Sequence, residues 1–94
     1  MAFIALTPLK VEYDELVWAL KAQFSSENTS LGRLPATYFK ELSLCVSLGG
    51  HGKTQFAVQT QYVIDHFPQK ISALFCCGGA GSLSSDLKIG DIVA

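Results

Sequence analysis

Ile71-Ser72-Ala73-Leu74-Phe75-Cys76-Cys77-Gly78-Gly79-Ala80-Gly81-Ser82 is an uncharged apolar run that empties into a glycine cluster. Ile71 to Cys76 reads as a strand, and the glycines after it let backbone N–H groups approach a small anionic or hydroxylated ligand with no side chain in the way. Two other segments repeat this arrangement. Ala2 to Leu6 is an uninterrupted apolar run stopped by Thr7-Pro8, as expected of a strand buried on both faces. Leu42 to Leu48 alternates apolar and small polar residues and stops at Gly49-Gly50-His51-Gly52, which reads as a strand delivering a second glycine loop.

Helical patterns lie between these strands. From Val11 to Phe24 the apolar residues Tyr13, Leu16, Val17, Leu20 and Phe24 recur at helical spacing, and Glu12, Asp14 and Glu15 stand in the first turn, where the macrodipole favours negative charge. Lys53 to Phe67 places Phe56, Ala57, Thr60, Val63, Ile64 and Phe67 on one face, and Pro68 ends it. Ser25 to Gly32 reads as a solvated loop, Ala36 to Lys40 as a short edge strand after Pro35, and Asp91-Ile92-Val93-Ala94 as the start of a further strand. Strand, helix, strand, helix, strand specifies an α/β fold with a mainly parallel sheet flanked by helices. Ligands in such sheets collect at the carboxyl ends of the strands, so the loops at Thr7-Pro8, Gly49 to Lys53 and Gly78 to Ser82 are expected to converge.

Composition narrows the function classes. The chain has 94 residues, 49% hydrophobic and 16% charged, with a formal net charge of -1. That is globular and rather greasy, and it suggests surface hidden against another chain or segment. The seven basic residues are scattered, which argues against a nucleic-acid footprint. No stretch approaches the roughly 18 apolar residues of a membrane helix, and Met1 to Leu6 is too short for a signal peptide, so a cytoplasmic protein with no membrane partner is expected. Cys45, Cys76 and Cys77 lack metal-ligand spacing and read as reduced core thiols; neither a metal nor a cofactor is implied.

Two generic motifs fail their context tests. Ser47 to Thr54 resembles a nucleotide phosphate loop, but Ser47 stands where the first glycine belongs, and no second acidic strand for magnesium follows. Gly79 to Ser84 approaches a dinucleotide fingerprint, but neither a helix nor a ribose-binding acid comes after it.

Taken together, Pro8-Leu9-Lys10-Val11-Glu12, Gly50-His51-Gly52-Lys53 and Gly78-Gly79-Ala80-Gly81-Ser82-Leu83 running into Leu87-Lys88-Ile89-Gly90-Asp91-Ile92-Val93 resemble the amino-terminal half of the nucleoside phosphorylase superfamily. Within it the likeness is closest to the 5'-methylthioadenosine/S-adenosylhomocysteine nucleosidases. The resemblance implies cleavage of the bond between purine and ribose, with Glu12 holding the attacking water and the main chain of Gly79, Ala80 and Gly81 lining the nucleoside site. Gly50, His51 and Gly52 form a candidate loop for phosphate or water. As a first-turn acid Glu12 also suits the helix dipole alone, and Lys53 and His51 suit an ordinary helix start.

The chain departs from the family at two positions. Gly79 stands where the nucleosidases commonly carry a serine, and Cys76 where bacterial phosphorylases clamp phosphate with an arginine, which favours hydrolysis over phosphorolysis. The resemblance also implies that residues 1–94 are half of a domain, apparently truncated. The purine-protonating acid, the ribose-gripping glutamate and most of the base pocket belong to the other half. By themselves, then, these residues are expected to hydrolyse nothing. A complementing carboxy-terminal half or a second copy in a dimer is the expected partner, with a catalytically inactive nucleoside-binding module of the same fold, or a purine nucleoside phosphorylase, as the alternatives.

Overall fold

A computed structural model describes residues 2–94. Strand β1 (Ala2–Thr7) is buried at every position but Phe3, as its unbroken apolar run requires. Helix α1 (Lys10–Lys21) follows, and β2 (Glu27–Leu31) and β3 (Leu34–Phe39) form a hairpin. A 3-10 turn at Lys40–Leu42 ends in Ser43, whose φ of 50° turns the chain into β4 (Leu44–Leu48). Helix α2 (Lys53–His66) leads to β5 (Ile71–Cys76).

The five strands form one sheet in the order β2-β3-β4-β1-β5. β1 runs parallel to β4 and to β5; α1 and the β2–β3 hairpin lie between β1 and β4 in the chain, and α2 joins β4 to β5. β3 is antiparallel to both β2 and β4. The sheet is therefore mixed, and the expectation of a mainly parallel one is corrected. Two residues join β2 to β3 and one short turn joins β3 to β4, and connections this brief can only reverse the chain. Gly32 opens the hairpin turn with φ 60° while Arg33 keeps a negative φ, a pattern that matches the right-handed strand twist.

The hairpin also replaces the loop expected over Ser25 to Gly32, and it makes β3 an inner strand where an edge strand was expected. Glu27 to Ser30 are exposed and show no alternation, so burial left no mark on their sequence. The strand expected from Asp91 is absent. Residues 77–94 hold no regular element, and Leu83, Ile89 and Ile92 stand fully in solvent.

A helix covers each face of the sheet. Ile4, Leu6, Ala36 and Cys45 pack with Val63, Phe56 and Phe67 of the α2 region. Ala5, Phe39 and Val46 pack with Tyr13, Leu16, Val17 and Leu20 of α1. The alternation of β1 thus feeds both layers, and the three strands with helical connections deliver their carboxyl ends to one rim of the sheet.

Candidate functional site

Two hydrogen bonds extend the parallel ladder past the strand ends. Gly49 N–H donates to Thr7 O at 2.7 Å, and Cys77 N–H donates to Leu6 O at 2.8 Å. The loops after β4 and β5 therefore leave the sheet on either side of the loop after β1, and the convergence expected from the sequence is present.

Glu12 ties two of these loops together. It stands in the first turn of α1, whose capping position is taken by Leu9, a residue with no side-chain acceptor. Glu12 Oε1 accepts the Leu9 N–H at 2.9 Å, the returning half of a capping box. Its other oxygen, Oε2, accepts the Gly79 N–H at 2.6 Å, across 67 residues of sequence. Two main-chain donors thus set the carboxylate's orientation, and each oxygen keeps acceptor capacity for a further hydrogen.

The glycines beside it play different parts. A Cβ at Gly78 would lie 2.9 Å from Glu12 Oε2 and 3.2 Å from Pro8 Cδ, so a larger residue there would push the carboxylate tip or Pro8 aside. A Cβ at Gly79 would lie 3.6 Å from Oε2, an ordinary contact, so a serine there would fit beside the carboxylate.

An open cleft of about 420 Å³ lies on the α2 side of the same rim, lined by Pro8, Gly50, Gly52, Lys53, Phe56, Ala57 and Cys76. Its walls are apolar apart from Lys53. Pro8 borders both this cleft and the Glu12–Gly78 contact. Gly50 and Gly52 adopt φ 88° and 90°, which bends the loop into α2. The His51 N–H donates to Gln55 Oε1 at 3.2 Å, while His51 itself is exposed and does not line the cleft. The amide an anion would use here is already satisfied by a glutamine.

Of the residues singled out in the sequence, Glu12 and Gly79 meet, and Gly50 and Gly52 border the cleft. Ala80 and Gly81 are exposed, and a Cβ at Gly81 would find nothing within 4 Å. Pro8, Phe56 and Cys76 are cleft residues the motif reading passed over, although Phe56 follows Gly52 by one helical turn. Thr7 was passed over too. It is 1% exposed at the end of β1, and its hydroxyl has no partner among the described residues.

Lys53 borders the cleft and makes no ion pair among the described residues, whereas Lys10 is engaged and Arg33 distant. Lys10 Nζ bonds both oxygens of Asp14, at 3.0 and 2.9 Å. The Arg33 guanidinium lies 5.6 Å from the Tyr62 ring centroid at the β2–β3 hairpin.

The thiols do not form one class, which corrects the reading of three core cysteines. Cys45 is buried, and burial pushes its thiol up to about 11. Cys77 is half-buried against the α1 layer, and burial, with a smaller contribution from Cys76, raises it. Cys76 is exposed because β5 is an edge strand.

A second cleft, of about 280 Å³, opens at the other end of the fold between β2, Tyr38, His66 and Phe67, away from Glu12. Among the described residues no three His, Cys, Asp or Glu side chains cluster to hold a metal, and no helix is long and apolar enough to cross a membrane.

Neither a curated protein nor a solved structure matches the chain significantly. A protein-family comparison does: the family described as Phosphorylase superfamily matches residues 5–94, a span that contains β1 from Ala5, Glu12, both glycine loops and the tail through Val93. With that match over nearly its whole length, the chain belongs to the phosphorylase superfamily.

Proposed function

We propose that residues 1–94 supply the nucleophile side of a purine nucleoside site and that the reaction is hydrolysis of the N-glycosidic bond, of the methylthioadenosine/S-adenosylhomocysteine nucleosidase type. The observation that carries this reading is the Glu12 carboxylate, held between the Leu9 and Gly79 N–H groups where the strand-end loops meet. Water is a poor nucleophile. A carboxylate fixed in this way accepts its proton as oxygen bonds to the anomeric carbon, and its charge favours the cationic sugar that forms as the bond to the purine breaks. The departing purine takes up a proton from an acid that the resemblance places in the other half of the domain. Glu12 here is a catalytic residue, Gly79 its positioning partner, and the apolar cleft at Pro8, Phe56 and Ala57 a wall for a flat or thioether-bearing group.

The resemblance and two contacts favour water over phosphate, although Lys53 borders the cleft. Cys76 occupies the place of a phosphate-clamping arginine, Lys10 is held by Asp14, and the His51 amide is held by Gln55. Phosphate needs such cationic and bidentate contacts. Gly79, which has no side chain to help hold a water, favours a second reading, a nucleoside-binding module without turnover.

Thermal unfolding with methylthioadenosine, adenine or inosine tests the reading. At ten times its dissociation constant, a ligand of the folded state adds about 1.4 kcal/mol. For a chain of this size that raises the midpoint by roughly 6–11 °C. Release of adenine in phosphate-free buffer by a protein containing these residues identifies hydrolysis, and release only with phosphate identifies phosphorolysis. If no purine compound moves the midpoint and none is cleaved, the proposal fails.

A further inference from the structure

The cleft of about 280 Å³ at the other end of the fold is built wholly from residues 27–69. β5 and residues 77–94 contribute nothing to it, and β1 separates β5 from the strands that form it. Its floor is one cross-strand row. Glu27 pairs with Tyr38 and Tyr38 with Cys45, so the three side chains stand side by side on one face of the sheet. Leu31 shares that face of β2 by alternation and packs with Val63 of α2, which makes it the face that α2 covers. The wall is the carboxyl end of α2 and the turn after it, His66 to Gln69.

Acceptors dominate this space. Glu27 brings a carboxylate, and the one ion pair among the described residues joins Lys10 to Asp14, so Glu27 has no cationic partner there. The carboxyl end of α2 carries the negative pole of the helix. His66 Nδ1 lies 2.8 Å from Tyr62 O, and a carbonyl can only accept, so in the neutral ring the proton sits on Nδ1 and Nε2 is left as an acceptor. Stacking on Tyr62, with ring centroids 4.0 Å apart, holds the imidazole in place. No lysine or arginine lines the cleft; Lys70 follows Gln69 in the chain without lining it. Among the described residues no three His, Cys, Asp or Glu side chains cluster here to hold a metal.

We propose that this cleft binds a small organic cation, a primary ammonium or guanidinium group on a compact apolar or aromatic body. The Glu27 carboxylate and His66 Nε2 are its acceptors, and Tyr38, Leu31 and Phe67 bound the body, with aromatic surface that also favours a positive charge. An anion would meet a carboxylate and the negative end of a helix. A neutral apolar ligand would desolvate Glu27 without pairing it. The volume is at the small end for ligand sites, which limits the occupant to roughly the size of an arylalkylamine.

Amide NMR of the full chain titrated separately with phenethylammonium, 3-phenylpropionate and 2-phenylethanol tests this, because the three compounds share a shape and differ in charge. Phenethylammonium is expected to give saturable shifts at Thr29, Tyr38, Cys45 and Phe67, with a Kd on the order of 1 mM and no movement of the Gly79 amide. The anion and the alcohol are expected to bind at least about tenfold more weakly. Glu27→Gln keeps the size of an exposed side chain and should weaken phenethylammonium about tenfold, with the remaining amide shifts unchanged. The comparison of the three compounds uses the unaltered chain, so it decides the matter even if the variant folds poorly. No saturable shift at the cleft with phenethylammonium overturns the proposal. So does equally tight binding of 3-phenylpropionate or 2-phenylethanol, or undiminished binding in a folded Glu27→Gln chain.

Discussion

Replacing Glu12 with glutamine separates the carboxylate's charge and double acceptance from its size. The wild-type side chain accepts two main-chain hydrogens, from Leu9 at 2.9 Å and from Gly79 at 2.6 Å. Glutamine keeps one acceptor oxygen and turns an NH₂ group towards the other N–H, so one bond is lost and two donors face each other. Charge-assisted hydrogen bonds contribute about 1.5–3 kcal/mol when sheltered, but both of these lie in exposed positions, which brings the expected loss to about 1 kcal/mol. For a chain of this size the midpoint should fall by roughly 4–8 °C. Glu12→Ala removes both bonds and the cap and should cost about 2 kcal/mol. Differential scanning fluorimetry reads the midpoint, and amide exchange by NMR reads the Gly79 N–H directly, which should exchange faster in both variants. In a protein that turns over nucleosides, Glu12→Gln should lower the rate roughly 10²–10⁴-fold, the usual contribution of a positioned base. A Gln variant with an unchanged midpoint and unchanged Gly79 exchange would refute the tether, and unchanged turnover would refute the catalytic assignment.

Two further perturbations probe the scaffold. Gly32→Ala places a methyl group in the Tyr62 hydroxyl at a residue with φ 60°, displacing the side chain whose hydroxyl accepts the Arg33 N–H at 3.0 Å and whose ring underlies the guanidinium. Left-handed strain and the lost contacts together predict about 2–3 kcal/mol of destabilisation, measured by urea unfolding; a loss under about 0.5 kcal/mol would contradict the turn assignment. Cys45 makes stability depend on alkaline pH. Its thiol is raised from 9.0 to about 11 in the folded protein, so between these values the unfolded chain releases a proton that the folded chain keeps. The stabilisation is therefore complete below about 9 and lost as pH rises through about 11, and at pH 10 the group's contribution should be lower by about 1.4 kcal/mol than at pH 8. Cys45→Ala should remove that part of the slope, and an identical slope in the variant would show that other groups cause it.

Much of the fold was legible because local pattern and tertiary burial agree. The apolar run of β1 is a buried inner strand, Tyr13, Leu16, Val17 and Leu20 face the core at helical spacing, and β5 occupies the residues read as a strand. The glycines after β4 and β5 marked the rim where the candidate site lies, and Glu12 stood out as a first-turn acid next to it. The candidate site was less legible in detail, since Ala80, Gly81 and His51 carry the motif's composition without lining the cleft, whereas Pro8, Phe56 and Cys76 line it without belonging to a motif.

By itself the sequence determined the two helices and the extended runs of β1, β4 and β5, because those choices follow from side-chain periodicity within a few residues of chain. Only the tertiary structure decided which strands pair and in which direction. Glu27 to Leu31 is a strand because β3 lies beside it, Asp91 to Val93 is not one because no described edge reaches it, and Cys76 is exposed because β5 has one neighbour. The bond from Gly79 to Glu12 belongs to the same class, since it spans 67 residues and exists only where the sheet brings the ends of β1 and β5 together. Strand pairing and long-range hydrogen bonds are satisfied between segments, so their energies are written in neighbours that no local window of sequence contains.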